Sequence, residues 1–265
     1  MSEAKIIVLS IGHNCPFDAI KKNVLSVQKQ CINHKMVHIV VDDGSVVDIT
    51  DTMAQYPDVK FFRNDQRLGA FNLLKLNDFI GSPEDIIVLL DLHNWFADPY
   101  ALQTIISYHS FGVWVTYGSY ISSNAPKRKA EYIERIPEST LKTKRHRVSS
   151  WQASIPLTFR ADLWNNIDME HFKYGENYIC EHYDIPLFHM LLDLTPFNKV
   201  KLLDEILAVK NIGYTVPDNV YEAHFKGLQQ LDEMDDGMPV TSHWFVLLPI
   251  KITDKDIKKY AGTSR

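Results

Sequence analysis

The chain is 265 residues long, the size of one large domain or two small ones, and its 45% hydrophobic residues can fill a substantial core. Its 28 basic and 33 acidic side chains leave a formal net charge of −5. That balance argues against a dedicated nucleic-acid binder, because such affinity rests on neutralising phosphates, and leaves only local basic patches open. No stretch nears the roughly 18 unbroken apolar residues of a membrane span. The start, MSEAKIIVLS, reads as a first buried strand and not as a signal peptide. Three cysteines, Cys15, Cys31 and Cys180, form no C-x-x-C pair. They read as small buried hydrophobes in a reducing, cytoplasmic compartment.

In chain order, Lys5–Ser10 is a short β-branched run and predicts a buried strand. Phe17, Ile20, Val24, Val27 and Cys31 recur at three- and four-residue steps, which predicts an amphipathic helix. Met36–Val41 is the second strand, broken by Asp42-Asp43-Gly44-Ser45, and Asp48–Tyr56 a short helix. Val59–Arg63 is a third strand, and Ala70–Ile80 a helix ended by Gly81. The unbroken Ile86–Leu90 marks a central parallel strand covered on both faces. A helix over Tyr100–Tyr108 and a strand over Gly112–Tyr117 complete an α/β pattern with a mostly parallel sheet. The second half is less regular. Residues 122–150, with the basic run Lys142–Arg147, suggest a long mobile loop that either closes over a ligand or stays solvated. Leu157–Ile167 and Asp184–Leu194 look helical, Val200–Val209 includes a strand, and Trp244–Ile250 precedes a charged end, Asp254–Lys259. No linker interrupts the chain, so it reads as a single domain with a first half over 1–120 and a second over 121–265.

Three polar clusters fall where parallel sheets place ligands, at the carboxyl ends of strands. They are Asn14, the Asp42–Ser45 turn, and Asp91-Leu92-His93-Asn94-Trp95. Carboxylates crowded on one rim repel unless a cation or hydrogen-bond donors are present. If the central strand continues, Asp91 and His93 point the same way. One carboxylate oxygen with one imidazole nitrogen suits Mn²⁺ and tolerates Mg²⁺. His224 is a distant candidate for a further ligand. Aromatic Trp151, Trp164, Tyr178 and Tyr183 read either as core or as exposed platforms for a ligand.

The order K-I-I-V-L-S, V-V-D-D-G-S, R-L-G, I-V-L-L-D-L-H-N-W-F-A-D-P resembles nucleotide-sugar glycosyltransferases of the GT-A (Rossmann-like) fold, and most nearly glycosyltransferase family 2. The resemblance covers residues 5–108 and continues faintly through Trp151–Arg160 and Glu181–Leu194. It implies a donor half over 1–120 and an acceptor half over 121–265. Asp42 and Asp43 would accept hydrogen bonds from the donor's base and ribose, with Ser10 and Asn14 completing that pocket. Arg67 and Gly69 would lie in a loop near the donor. Asp91 and Leu92 would face the donor in the D-x-D position, where His93 replaces the second acid, so a D-x-H metal site with Asp91 and His93 as ligands is the expectation. The family's acidic helix-opening motif corresponds to Glu181-His182-Tyr183-Asp184. Asp184, with Glu181 in reserve, would be the general base, although Asp184 also reads as an N-cap and His182 stays open.

The function implied is metal-dependent, inverting transfer from a nucleoside-diphosphate sugar, UDP-linked, to a glycan or other hydroxyl acceptor, with Mn²⁺ or Mg²⁺. The rivals are a nucleotidyltransferase, whose Gly-rich basic loop after the first strand is replaced here by I-G-H-N-C-P-F-D, and a non-catalytic binding module.

Overall fold

The computed structural model describes residues 4–123, 130–148 and 155–212. Trp151, His224, Trp244–Ile250 and Asp254–Lys259 lie outside the described residues. The first half follows the predicted alternation: β1 (Ile6–Gly12), α1 (Phe17–Gln28), β2 (Met36–Asp42), α2 (Thr50–Met53) and β3 (Val59–Arg63), then β4 (Ile86–Leu89), β5 (Trp95–Phe96), α3 (Ala101–Ser110) and β6 (Val115–Tyr117). The second half adds β7 (Tyr120–Ser122), β8 (Ala130–Glu131), α4 (Glu138–Lys142), β9 (Leu157–Arg160) and α5 (Ala161–Trp164). After these come β10 (Lys173–Tyr174), β11 (Asn177–Tyr178), α6 (Asp184–Leu194), β12 (Val200–Leu202) and β13 (Ala208–Lys210).

Seven strands form the central sheet in the order β12-β6-β9-β4-β1-β2-β3, all parallel to their neighbours except β9. Alternation along β1 fills both faces. Ile7, Leu9 and Ile11 join the core against α6 (Leu187, Phe188, Leu191), while Ile6 and Val8 join the core against α3 (Leu102, Ile105). Each such side chain contributes about 2 kcal/mol on full burial. This two-sided cover explains why these strands read as continuous apolar runs. A smaller sheet, β5-β13-β7-β8, flanks the carboxyl end of β4.

Four expectations need correction. Residues 157–160 are a strand, not the start of a helix. Leu157 and Phe159 enter one core face while Thr158 turns the other way to Thr116 and His109, a period of two hidden by the apolar residues that follow. Residues Gly69–Asp78 wind as a 3₁₀ helix, with Gly69 and Ala70 N–H groups tied to Asp43 and the Ile179 carbonyl. The basic run is not an irregular loop: it leaves α4 and winds as a short 3₁₀ turn over Arg145–Val148. Lys144 donates to the Leu192 and Thr195 carbonyls at 2.6 and 2.7 Å, capping the end of α6, and Arg147 pairs with Asp193. Cys31 is exposed, while Cys180 is buried.

Candidate functional site

The first corner of the site is the turn after β2. Asp42 is fully buried, with Arg63 paired to its Oδ2 and the Ser45 N–H donating to Oδ1 at 3.1 Å. Asp43 is 2% exposed and accepts four hydrogen bonds: Leu68 N at 2.7 Å, Asn64 Nδ2 at 2.9 Å and Asn72 Nδ2 at 2.8 Å on Oδ1, and Gly69 N at 3.0 Å on Oδ2. Both carboxylates thus hold internal partners. Asn14, in the left-handed region, ties the first turn to this one. Its N–H donates to Ser45 Oγ at 2.7 Å and its Oδ1 accepts from Val46 N at 2.9 Å. Ser10 is not in a turn: it lies inside β1, fully buried, with its hydroxyl on His38 Nε2 at 3.0 Å.

Arg67 and Gly69 bridge this corner to the chain entering α6. Arg67 pairs with Glu181 and reaches the Cys180 carbonyl. Gly69 has φ +55°, and a Cβ there would lie 2.1 Å from the Ile179 oxygen, so the crossing demands glycine. The Glu181 carboxylate is therefore committed to a guanidinium. Asp184 is different. The N-cap of α6 is Tyr183, with no side-chain cap, so Asp184 stands in the first turn and does not cap the helix.

The second corner is the turn after β4. The strand stops at Leu89, so Asp91 and His93 do not alternate on a continuing strand. Instead Asp91–Asn94 is a turn closed by Asn94 N–H on the Asp91 carbonyl at 2.8 Å. The Leu92 side chain is 1% exposed and packs in the core beside Gly12. Asn23 of α1, fully buried, holds the turn from beneath, donating to the Asn94 carbonyl at 2.8 Å and the Asp91 carbonyl at 3.2 Å. Asn94, also fully buried, donates to Asp91 Oδ2 at 3.3 Å and accepts the Asn211 N–H at 3.0 Å.

Electrostatics link this turn to α6. Burial lowers the His93 imidazole below its ordinary 6.5, Asp91 opposes that shift, and Lys210 adds to it. Burial lifts the Asp184 carboxyl above the usual carboxylate range, and the Asp91 charge lifts it further, against His182 and Lys210. The Tyr183 phenol is raised by burial and by Asp91, Asp43 and Asp184, which puts it between the corners. Cys15 is pushed up to about 12, mainly by burial and then by Asp91, so its thiol stays protonated.

Among the described residues no three His, Cys, Asp or Glu side chains gather to hold a metal. Asp91 and His93 offer one oxygen and one nitrogen, and the mutual repulsion of Asp91 and Asp184 calls for positive charge. That donor set fits an ion whose shell is completed by phosphate oxygens and water. Of the aromatic candidates, Trp164 is core, its Nε1 donating to Asn77 at 2.6 Å, and Tyr178 stacks on Phe71 at 5.3 Å.

Asn23 and Lys210 were not singled out by sequence reasoning. Asn23 carried a signal, a polar residue on the apolar stripe of Ile20, Val24 and Val27. Lys210 carried none, because only strand pairing brings it near. No helix among the described residues is long and apolar enough to cross a membrane.

No family model and no curated protein matches the chain. Solved structures do. The structure of S. aureus TarS 1-349 is similar with a TM-score of 0.56 at 16% identity, over 78% of this chain and 60% of that one. A structure of S. aureus TarS gives 0.55 at 18%, over 82% and 38%. TarS 1-349 in complex with UDP-GlcNAc gives 0.53 at 15%, over 83% and 64%. The chain thus spans about 60% of the shorter TarS chain it matches. At such identities the likeness is one of fold: a mixed α/β domain with a mostly parallel seven-stranded sheet.

Proposed function

We propose that this chain is a glycosyltransferase of the GT-A type, resembling family 2, that moves a sugar from a UDP-linked donor to a glycan or other hydroxyl acceptor with inversion. The observation that carries the reading is that Asp91 and Lys210 act electrostatically on both His93, in the turn after β4, and Asp184, at the start of α6. The fold shared with a UDP-GlcNAc complex supports it.

In this reading the donor's nucleoside lies against the first corner. Asp42 and Asp43 hold its wall rigid from inside, through Arg63 and the 67–69 loop. Asp184 takes the acceptor hydroxyl proton. A carboxyl raised by burial is a stronger base than an ordinary one, and its neighbour Glu181, paired with Arg67, positions the segment instead. Mn²⁺ or Mg²⁺ held by Asp91 and His93 would supply charge neutralisation at the diphosphate.

The test is a panel of nucleotide sugars incubated with and without Mn²⁺. Metal-dependent release of UDP, lost in His93→Ala and kept in His93→Asp, is the expected outcome. Formation of a nucleotide sugar from a sugar phosphate and a nucleoside triphosphate would make the chain a nucleotidyltransferase instead. Donor binding without turnover would leave a binding module.

A further inference from the structure

Lys210 is fastened to the second corner by the small sheet. β13 runs antiparallel to β5, with Val209 opposite Trp95, and parallel to β7, with Lys210 opposite Ser122. The next N–H, of Asn211, donates at 3.0 Å to the side chain of Asn94, the residue that closes the Asp91–Asn94 turn. The lysine is half-buried, with its ammonium 5.1 Å from the centre of the Tyr120 ring, a contact that steers it without neutralising it. Among the described residues it forms no salt bridge, although both His93 and Asp184 lie within its electrostatic reach.

A diphosphate brought to this turn meets two carboxylates, Asp91 and Asp184, and gains from any cation held there. An ammonium anchored in a sheet costs little reorganisation when the anion arrives. We propose that Lys210 binds the diphosphate of the donor and is the positive charge that keeps nucleotide binding alive when no divalent cation is present. The inference rests on the UDP-donor reading above.

The experiment measures UDP affinity by calorimetry in EDTA and in Mn²⁺, with uridine followed by ligand-observed NMR, for the full chain, Lys210→Met and Lys210→Arg. The unmodified chain is expected to bind UDP in EDTA. Lys210→Met is expected to lose about tenfold or more of that affinity, the loss of one charge-assisted hydrogen bond, while uridine binding and melting temperature hold. Lys210→Arg should recover most of the loss. Equal UDP affinity in the unmodified chain and Lys210→Met would overturn the inference. So would a parallel loss of UDP and uridine, or UDP binding by the unmodified chain in Mn²⁺ alone. If the unmodified chain bound neither UDP nor uridine in either buffer, the donor reading itself would fall.

Discussion

The two acidic corners of the rim use the same side chain for opposite purposes. Asp43 is enclosed and accepts four hydrogen bonds, two of them from backbone N–H groups of the 67–69 loop. Asp184 is crowded by burial and by Asp91, and its carboxyl is displaced upward. A carboxylate that accepts so many internal donors stabilises the fold. One held near another acid is poised to take a proton, and the fold tolerates the cost. Asp43 follows a strand and Asp184 opens a helix, and only their surroundings tell scaffold from chemistry.

Three substitutions or conditions sharpen that contrast. The largest effect is expected at Asp184→Asn, which should lower sugar transfer by about 10²–10⁴ while leaving the melting temperature unchanged or slightly higher. Full transfer by this variant and by Glu181→Gln would move the base to His182 or elsewhere. Next, Asp43→Ala should cost about 3 kcal/mol of stability, because it strands the buried Leu68 and Gly69 N–H groups and takes one acceptor each from the Asn64 and Asn72 amides. Urea denaturation reads this directly, and an unchanged midpoint would make the first corner no scaffold.

The smallest effect concerns His38, under the first corner. Burial lowers its imidazole from 6.5 to about 3, so the folded chain holds it neutral. An unfolded histidine takes up a proton below about 6.5, so stability is fully present above that pH and is lost as pH falls toward the folded value. The slope for this one group is about 1.4 kcal/mol per pH unit. His38→Gln should flatten the pH dependence of the denaturation midpoint between pH 6 and 4 by that amount. An unaltered slope would show that His38 is not neutral in the fold.

Much of the first half was readable because its information is local. Apolar periodicity placed β1, α1, β2 and β3 within a few residues of their observed bounds, and the two acid-bearing turns followed from where those strands stop. Reading failed where two patterns overlap within a short window. Residues 157–160 satisfy a helical stripe and a strand alternation alike, and the open slot between β4 and β6 decided for the strand.

By itself, then, the sequence determined the alternation of strands and helices, the mostly parallel sheet and the presence of carboxylates at its rim. Each follows from side-chain periods of two or 3.6 and from turn residues, all within about a dozen positions. The tertiary structure alone decided what those carboxylates face. Arg67 meets Glu181 across 114 residues, and Asn94 meets Asn211 across 117. Lys210 reaches the second corner only because β13 pairs with β5. Polar partners so far apart leave no periodic trace, because sheet register and burial choose them after the chain has folded.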